Sequence, residues 1–191
     1  MEIINAKREH ANTLAHLVNL AGEGIPEYLW SLMKTDGESA MDVGRYRAER
    51  EEGGFSYTNA VVCIKDSELL GMILAYPQDD PYELGDITQY SNVVRPLVEL
   101  ESLAPGSWYI NAIATFEDYR GKGVARRLME NSEIRAHSSG CKEISLIVAS
   151  KNIPARTLYA SLGYQAVDSR PVVPYPGGMH GGDWLLMIKR N

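Results

Sequence analysis

Apolar and polar positions along this chain follow two rhythms, and the points where one gives way to the other outline the elements. Glu2-Ile-Ile-Asn5 has the length and apolar centre of a short first strand. From Arg8 to Leu20, the residues Ala11, Leu14, Ala15, Leu17 and Val18 recur at helical spacing, and Gly22 and Gly24 break the run. Further helical patterns cover Tyr28 to Met33 and Glu38 to Glu51, the second stopping at Gly53-Gly54. Two strands are predicted next, Asn59 to Lys65 and Leu69 to Tyr76, joined by the turn residues Asp66-Ser67-Glu68.

The rhythm is lost between Gln78 and Gly106. This stretch is acid-rich and proline-punctuated, has Arg95 as its only base, and reads as an insertion over 78–106 with a short helix around Val93 to Leu103. The pattern then sharpens. Trp108 to Thr115 is apolar on both faces, as a central strand should be. Gly123 to His137 is a helix and Glu143 to Ala149 a strand, followed by a short helix from Pro154 to Leu162 that Gly163 closes. Tyr164 to Ser169 and Trp184 to Lys189 are the last two strands, with the Pro/Gly-rich Pro171 to Gly182 between them. The expected fold is one α/β domain spanning 1–191, without internal repeat or separate linker.

Composition narrows the function. With 191 residues, of which 45% are hydrophobic, the chain can bury a substantial core. It has no uncharged apolar run long enough to span a bilayer, and its N-terminus lacks a signal-peptide core, so no membrane partner and a cytoplasmic location are expected. The two cysteines, Cys63 and Cys141, sit in apolar settings; they read as small buried core residues, not as a disulfide or a metal site, and no metal is expected. A formal net charge of −6 argues against a nucleic-acid surface and is compatible with a cationic substrate.

Candidate chemistry lies in Arg120-Gly-Lys-Gly-Val-Ala125, between a buried strand and a helix. A helix start leaves backbone N–H groups unpaired and carries partial positive charge. Glycines let those amides approach an anion, and Arg120, Lys122 and Arg126 add charge, so the segment suits a pyrophosphate. A Gly-x-Gly before a helix is a weak signal alone and also fits a plain tight turn. The Walker A spacing is absent, and so is the third glycine of a dinucleotide fingerprint.

These residues carry a resemblance. Arg120-x-x-Gly123-x-Ala125 resembles the first signature of the GNAT superfamily of N-acetyltransferases, and Ile110-Asn-Ala-Ile-Ala-Thr115 with Phe116-Glu-Asp-Tyr119 is similar to that family's fourth strand and following turn. Asn152-x-x-Ala155-x-x-Leu158-Tyr159-x-x-Leu162-Gly163-Tyr164 is similar to its second signature. The resemblance implies a mixed central β-sheet flanked by helices, with the fourth and fifth strands splayed around acetyl-CoA. It implies that backbone groups of Ile113, Ala114 and Thr115 hold the acyl and pantetheine portion. The amides of Gly121, Lys122, Gly123, Val124, Ala125 and Arg126, with Arg120 beside them, would take the pyrophosphate, and Asn152 would contact the pantetheine arm. Thr115 stands where the family more often has Val, and Ala125 where Gly is commoner.

The implied reaction is direct transfer of an acetyl group from acetyl-CoA to a primary amine on a small molecule, protein or peptide, with a homodimer open as the assembly. Tyr159 is the candidate catalytic residue, donating a proton to the leaving thiolate, because Ala155, Leu158, Tyr159 and Leu162 share one helical face that turns it inward. The plain alternative is a core tyrosine whose hydroxyl makes a single hydrogen bond. Some family members carry a basic carboxylate on the fourth strand, but Ser107-Trp-Tyr-Ile-Asn111 has none. Glu99, Glu101, Asp183 and His180 are the substitutes, each more simply read as a solvated loop charge. Aromatics and acids of Glu23 to Leu32, Gln78 to Gly106 and Pro171 to His180 are placed to frame an amine. The competing readings are an acyl-CoA-binding regulatory module without turnover and a structural or partner-binding domain that binds no coenzyme.

Overall fold

The computed structural model describes residues 1–178 and 181–190. Among them a seven-stranded mixed sheet runs in the order β1-β2-β3-β4-β5-β7-β6. Its strands are β1 (Glu2–Asn5), β2 (Ala60–Lys65), β3 (Glu68–Pro77), β4 (Trp108–Thr115), β5 (Glu143–Ala149), β6 (Gln165–Pro171) and β7 (Asp183–Arg190). The helices are α1 (Ala11–Ala21), α2 (Ile25–Ser31), α3 (Ala40–Ala48), α4 (Arg95–Glu101), α5 (Val124–Ser138) and α6 (Ile153–Ser161). The α/β class and mixed sheet are those the sequence predicts. The chain gathers into two compact units, Met1–Ala75 with Asn111–Ser132, and Tyr76–Ile110 with Glu133–Asn191.

In the first unit β1, β2 and β3 form an antiparallel meander. Asp66 and Ser67 turn the β2–β3 hairpin with φ of 51° and 69°, the left-handed pair that matches strand twist. The apolar face of α1, with Leu14, Leu17 and Val18, packs with Val62, Met72 and Leu74 of the strands and with Ala112 and Ala114 of β4. α3 opens on a reciprocal cap: Asp42 N donates to Ser39 Oγ at 3.1 Å, and Ser39 N donates to Asp42 Oδ2 at 3.0 Å. α2 starts three residues earlier than its apolar spacing predicts, because left-handed Gly24 opens it and Pro26 fits its first turn. Gly71 of β3 has no room for a side chain: a Cβ there would stand 2.6 Å from Ala114 O and 3.1 Å from Val124 Cγ1. That close approach fixes the end of β4 and the first residue of α5 relative to β3.

In the second unit β7 enters between β5 and β6, antiparallel to both. β4 pairs β5 in parallel over Trp108↔Ile144, Tyr109↔Ser145 and Ile110↔Leu146. The ladder ends there, although β4 runs on to Thr115 and β5 to Ala149. At its start the buried hydroxyls of Ser107 and Ser145 bond at 2.6 Å, so each satisfies the other. α4 is the one α-helix of the 78–106 segment. Arg170 Nε of β6 holds it by donating to Glu99 Oε2 at 2.9 Å.

Candidate functional site

The cradle forms where the chain leaves β4. Phe116 N donates to Leu70 O at 3.0 Å, ending the strand, and a turn at Glu117–Tyr119 leads to Arg120. Gly121 and Gly123 then take φ of 73° and 83°, a conformation that costs glycine little and other residues more. A Cβ at either would meet nothing within 4 Å, so the cradle is open on its outer side. Arg127 N donates to Gly123 O at 3.1 Å in the first turn of α5, and the amides of Val124 and Ala125 have no acceptor in the helix. Buried Val124 anchors this start, while Arg120, Gly121, Lys122, Gly123 and Arg126 are exposed and Ala125 is half-buried. Lys122 Nζ lies 5.3 Å from the centre of the Tyr119 ring, which holds the ammonium beside the turn.

On β4 the expectation of two apolar faces needs correction. Tyr109 is buried, but Asn111 is exposed and Ile113 and Thr115 are half-covered, while Ile110, Ala112 and Ala114 are buried. Alternation places the four odd-numbered residues on one face, whose later half opens as a polar side chain requires. Thr115 Oγ1 is buried and has no hydrogen-bond partner among the described residues. An open glycine turn, helix amides outside the ladder and this orphaned hydroxyl all fit a diphosphate-bearing, amide-rich ligand such as acetyl-CoA.

α6 in the second unit carries the other two site residues. Asn152 caps it, Oδ1 accepting from Ala155 N at 3.3 Å, a structural role that the signature alone did not reveal. Tyr159 is 7% exposed, and its ring meets that of Tyr164 at 6.2 Å between centroids. Among the described residues no hydrogen bond to the Tyr159 hydroxyl is present. Burial alone pushes its phenol well above the ordinary range, so it keeps its proton at any physiological pH. Tyr164 is pushed up as well, by burial and then by neighbouring Glu133, which takes Lys189 Nζ at 2.7 Å.

The base candidates separate. Glu99 pairs with Arg170, and Asp183 is fixed through its backbone N, which donates to Ser150 Oγ at 2.9 Å; His180 lies outside the described residues. Glu101 is not a solvated loop charge. It ends α4 and accepts Tyr109 OH on Oε1 at 2.9 Å and Tyr82 OH on Oε2 at 3.2 Å. Burial raises its carboxyl above the ordinary range, against the two hydroxyls that lower it. The signal in the sequence was Tyr109 itself, a phenol on a buried strand that needs an acceptor. Cys63 is buried, as expected, but Cys141 is only half-buried, since it follows the turn at Gly140. Among the described residues no cluster of three or more His, Cys, Asp or Glu is set to hold a metal, and no helix is long and apolar enough to cross a membrane.

The sequence profile of the Acetyltransferase (GNAT) family matches residues 25–164, well over half of the chain. The chain belongs to that family. Among curated GNAT relatives, "GCN5-related N-acetyltransferase 4, chloroplastic" of Arabidopsis thaliana is 34% identical over 62 residues, covering 32% of this chain and 21% of that protein. "Uncharacterized N-acetyltransferase YycN" of Bacillus subtilis (strain 168) is 37% identical over 60 residues, covering 31% of this chain and 38% of that protein. The chain thus spans well under two thirds of the length of either. Among solved structures, a Drosophila melanogaster polyamine N-acetyltransferase superposes with a TM-score of 0.70 at 13% identity, over 100% of this chain and 99% of that one. A structure described as an acetyltransferase gives 0.68 at 20% identity over 100% and 99%. At such identities these two establish the GNAT fold.

Proposed function

We propose that this GNAT protein transfers an acetyl group from acetyl-CoA to a primary amine, without a covalent enzyme intermediate. The observation that carries the reading is the open turn at Gly121 and Gly123 against a helix start whose leading amides lack helical acceptors. In this reading the amides of Gly121 to Arg126, with Arg120 and Lys122 nearby, hold the diphosphate. Backbone groups of Ile113 to Thr115 hold the acyl and pantetheine portion, with Asn152 at the pantetheine arm, and the 78–106 insertion lies on the acceptor side.

Acetyl-CoA supplies the activated acyl group as a thioester. Tyr159 donates its phenolic proton to the departing sulfur and recovers one from the new amide nitrogen. The desolvation that strengthens the phenol's hold on its proton also raises the proton affinity of a thiolate leaving beside it, which favours donation. Polyamine and agmatine N-acetyltransferases among the similar folds support an amine acceptor. The test is thiol release from acetyl-CoA against a panel of small amines and peptides, with calorimetric titration of coenzyme A. Thiol release with at least one amine is expected. Coenzyme binding without thiol release from any acceptor would favour the binding-module reading, and no coenzyme binding would end both.

A further inference from the structure

Resting on the transferase reading, we propose that Glu101, held between the hydroxyls of Tyr82 and Tyr109, receives the acceptor's primary ammonium and takes its proton. The geometry makes a receptor. Both carboxylate oxygens are oriented by phenols, one from the strand floor at 2.9 Å and one from the insertion at 3.2 Å. A carboxylate has about four lone-pair positions, so two are left for a ligand's N–H groups. Glu101 is half-buried, so part of its surface stays open to a ligand. Tyr76 stands edge-on to Tyr109 at 6.0 Å and 81°, adding a third aromatic body beside a cation's binding point.

The support is rigid. Gln78 N donates to Ser107 O at 2.8 Å, and with its side-chain amide turned over Nε2 donates to Ala104 O at 2.8 Å and Glu101 O at 3.2 Å, at the end of α4. Charges on the elements packed against α4 are engaged elsewhere: Arg170 of β6 on Glu99 and Asp168, and Lys189 and Arg190 of β7 on Glu133 and Glu143. Asp183 of β7 lies opposite Pro171. No cation among these neutralises Glu101, and an incoming ammonium does. A carboxyl whose burial favours the neutral form gains by accepting a proton from that ammonium, which frees the nitrogen lone pair to attack the thioester carbonyl carbon. Glu101 then returns its proton to water. The balance is one ammonium and one thioester giving one amide, one thiol and one proton. Free small amines and peptide N-termini share this chemistry.

Calorimetric titration of wild type and Glu101→Gln with putrescine, phenethylamine and a short peptide with a free N-terminus reads the site without turnover, butanol serving as the neutral control. At least one amine should bind wild type, with affinity about tenfold weaker or worse in Glu101→Gln and unchanged coenzyme A affinity. For that amine, Glu101→Gln should lower kcat/KM about 100-fold, and the loss should shrink as pH rises toward the amine's own pKa. Tyr82→Phe removes a hydrogen bond that favours the ionised carboxylate, so the acid limb of kcat/KM should move to higher pH. Equal amine affinity in wild type and Glu101→Gln, heat from no amine, a loss independent of pH, or an unmoved acid limb in Tyr82→Phe would each overturn the proposal. Amine binding that needs Glu101 in a protein that releases no thiol would keep the site and refute the transferase reading.

Discussion

Tyr159 and Glu101 are buried oxygen acids whose environments act alike and whose roles in the proposed reaction are opposite. Burial favours the neutral form of each, which keeps the phenol protonated as a donor and makes the carboxylate a stronger proton acceptor than one in water. Replacing Tyr159 with Phe keeps the ring packing against Tyr164 and deletes only the hydroxyl. Turnover should fall by about 100-fold or more, with coenzyme affinity near wild type, as steady-state kinetics and calorimetry would show. Unchanged turnover would remove Tyr159 from the reaction. The sequence names both, Tyr159 as the proton donor and Glu101 as one of four substitutes for the base that read more simply as solvated loop charges. The partners of Tyr159 on α6 lie within one helical turn, where spacing is informative. Glu101 meets Tyr82 and Tyr109 through a fold that spacing does not encode, so its charge pointed to solvent.

At the level of elements, the start of α5 is legible because its requirements are local: two glycines at positive φ, a buried valine and amides that precede the ladder. Gly123→Glu places a carboxylate where the glycine conformation and an incoming diphosphate are both needed. Coenzyme affinity should drop by at least tenfold in calorimetry while far-UV circular dichroism stays the same, and normal affinity would put the phosphates elsewhere. Strand and helix bounds were readable to within a few residues wherever alternation or helical spacing was strong, as in β4 and β5. The insertion of β7 between β5 and β6 was not, because hydrophobic rhythm identifies strands without saying which neighbour each will take. The exposed Asn111 in the middle of β4 was the one visible hint that this strand's second half opens on one face.

For the molecule as a whole, ligand binding should be visible as stability. A ligand at about 100 times its Kd adds about 2.7 kcal/mol to a protein that binds it only when folded. For a chain of this size that corresponds to a rise of roughly 5–10 °C in Tm. Acetyl-CoA should produce this shift in a thermal scan, and Gly123→Glu should abolish it. A wild-type Tm that ignores saturating coenzyme would contradict the cradle.

β6 forms one border of the sheet, and its register against β7 slips between Ala166 and Asp168, leaving Val167 as an extra residue that is 56% exposed. A bulge there bends the strand and spoils it as a template, and the Asp168–Arg170 ion pair at 2.8 Å adds charge along the same border. Deleting Val167 would straighten that margin and present a regular row of amides and carbonyls to any other copy. Light scattering should then report concentration-dependent growth of strand-linked polymers, whereas a monodisperse deletion variant would show that the kink guards nothing.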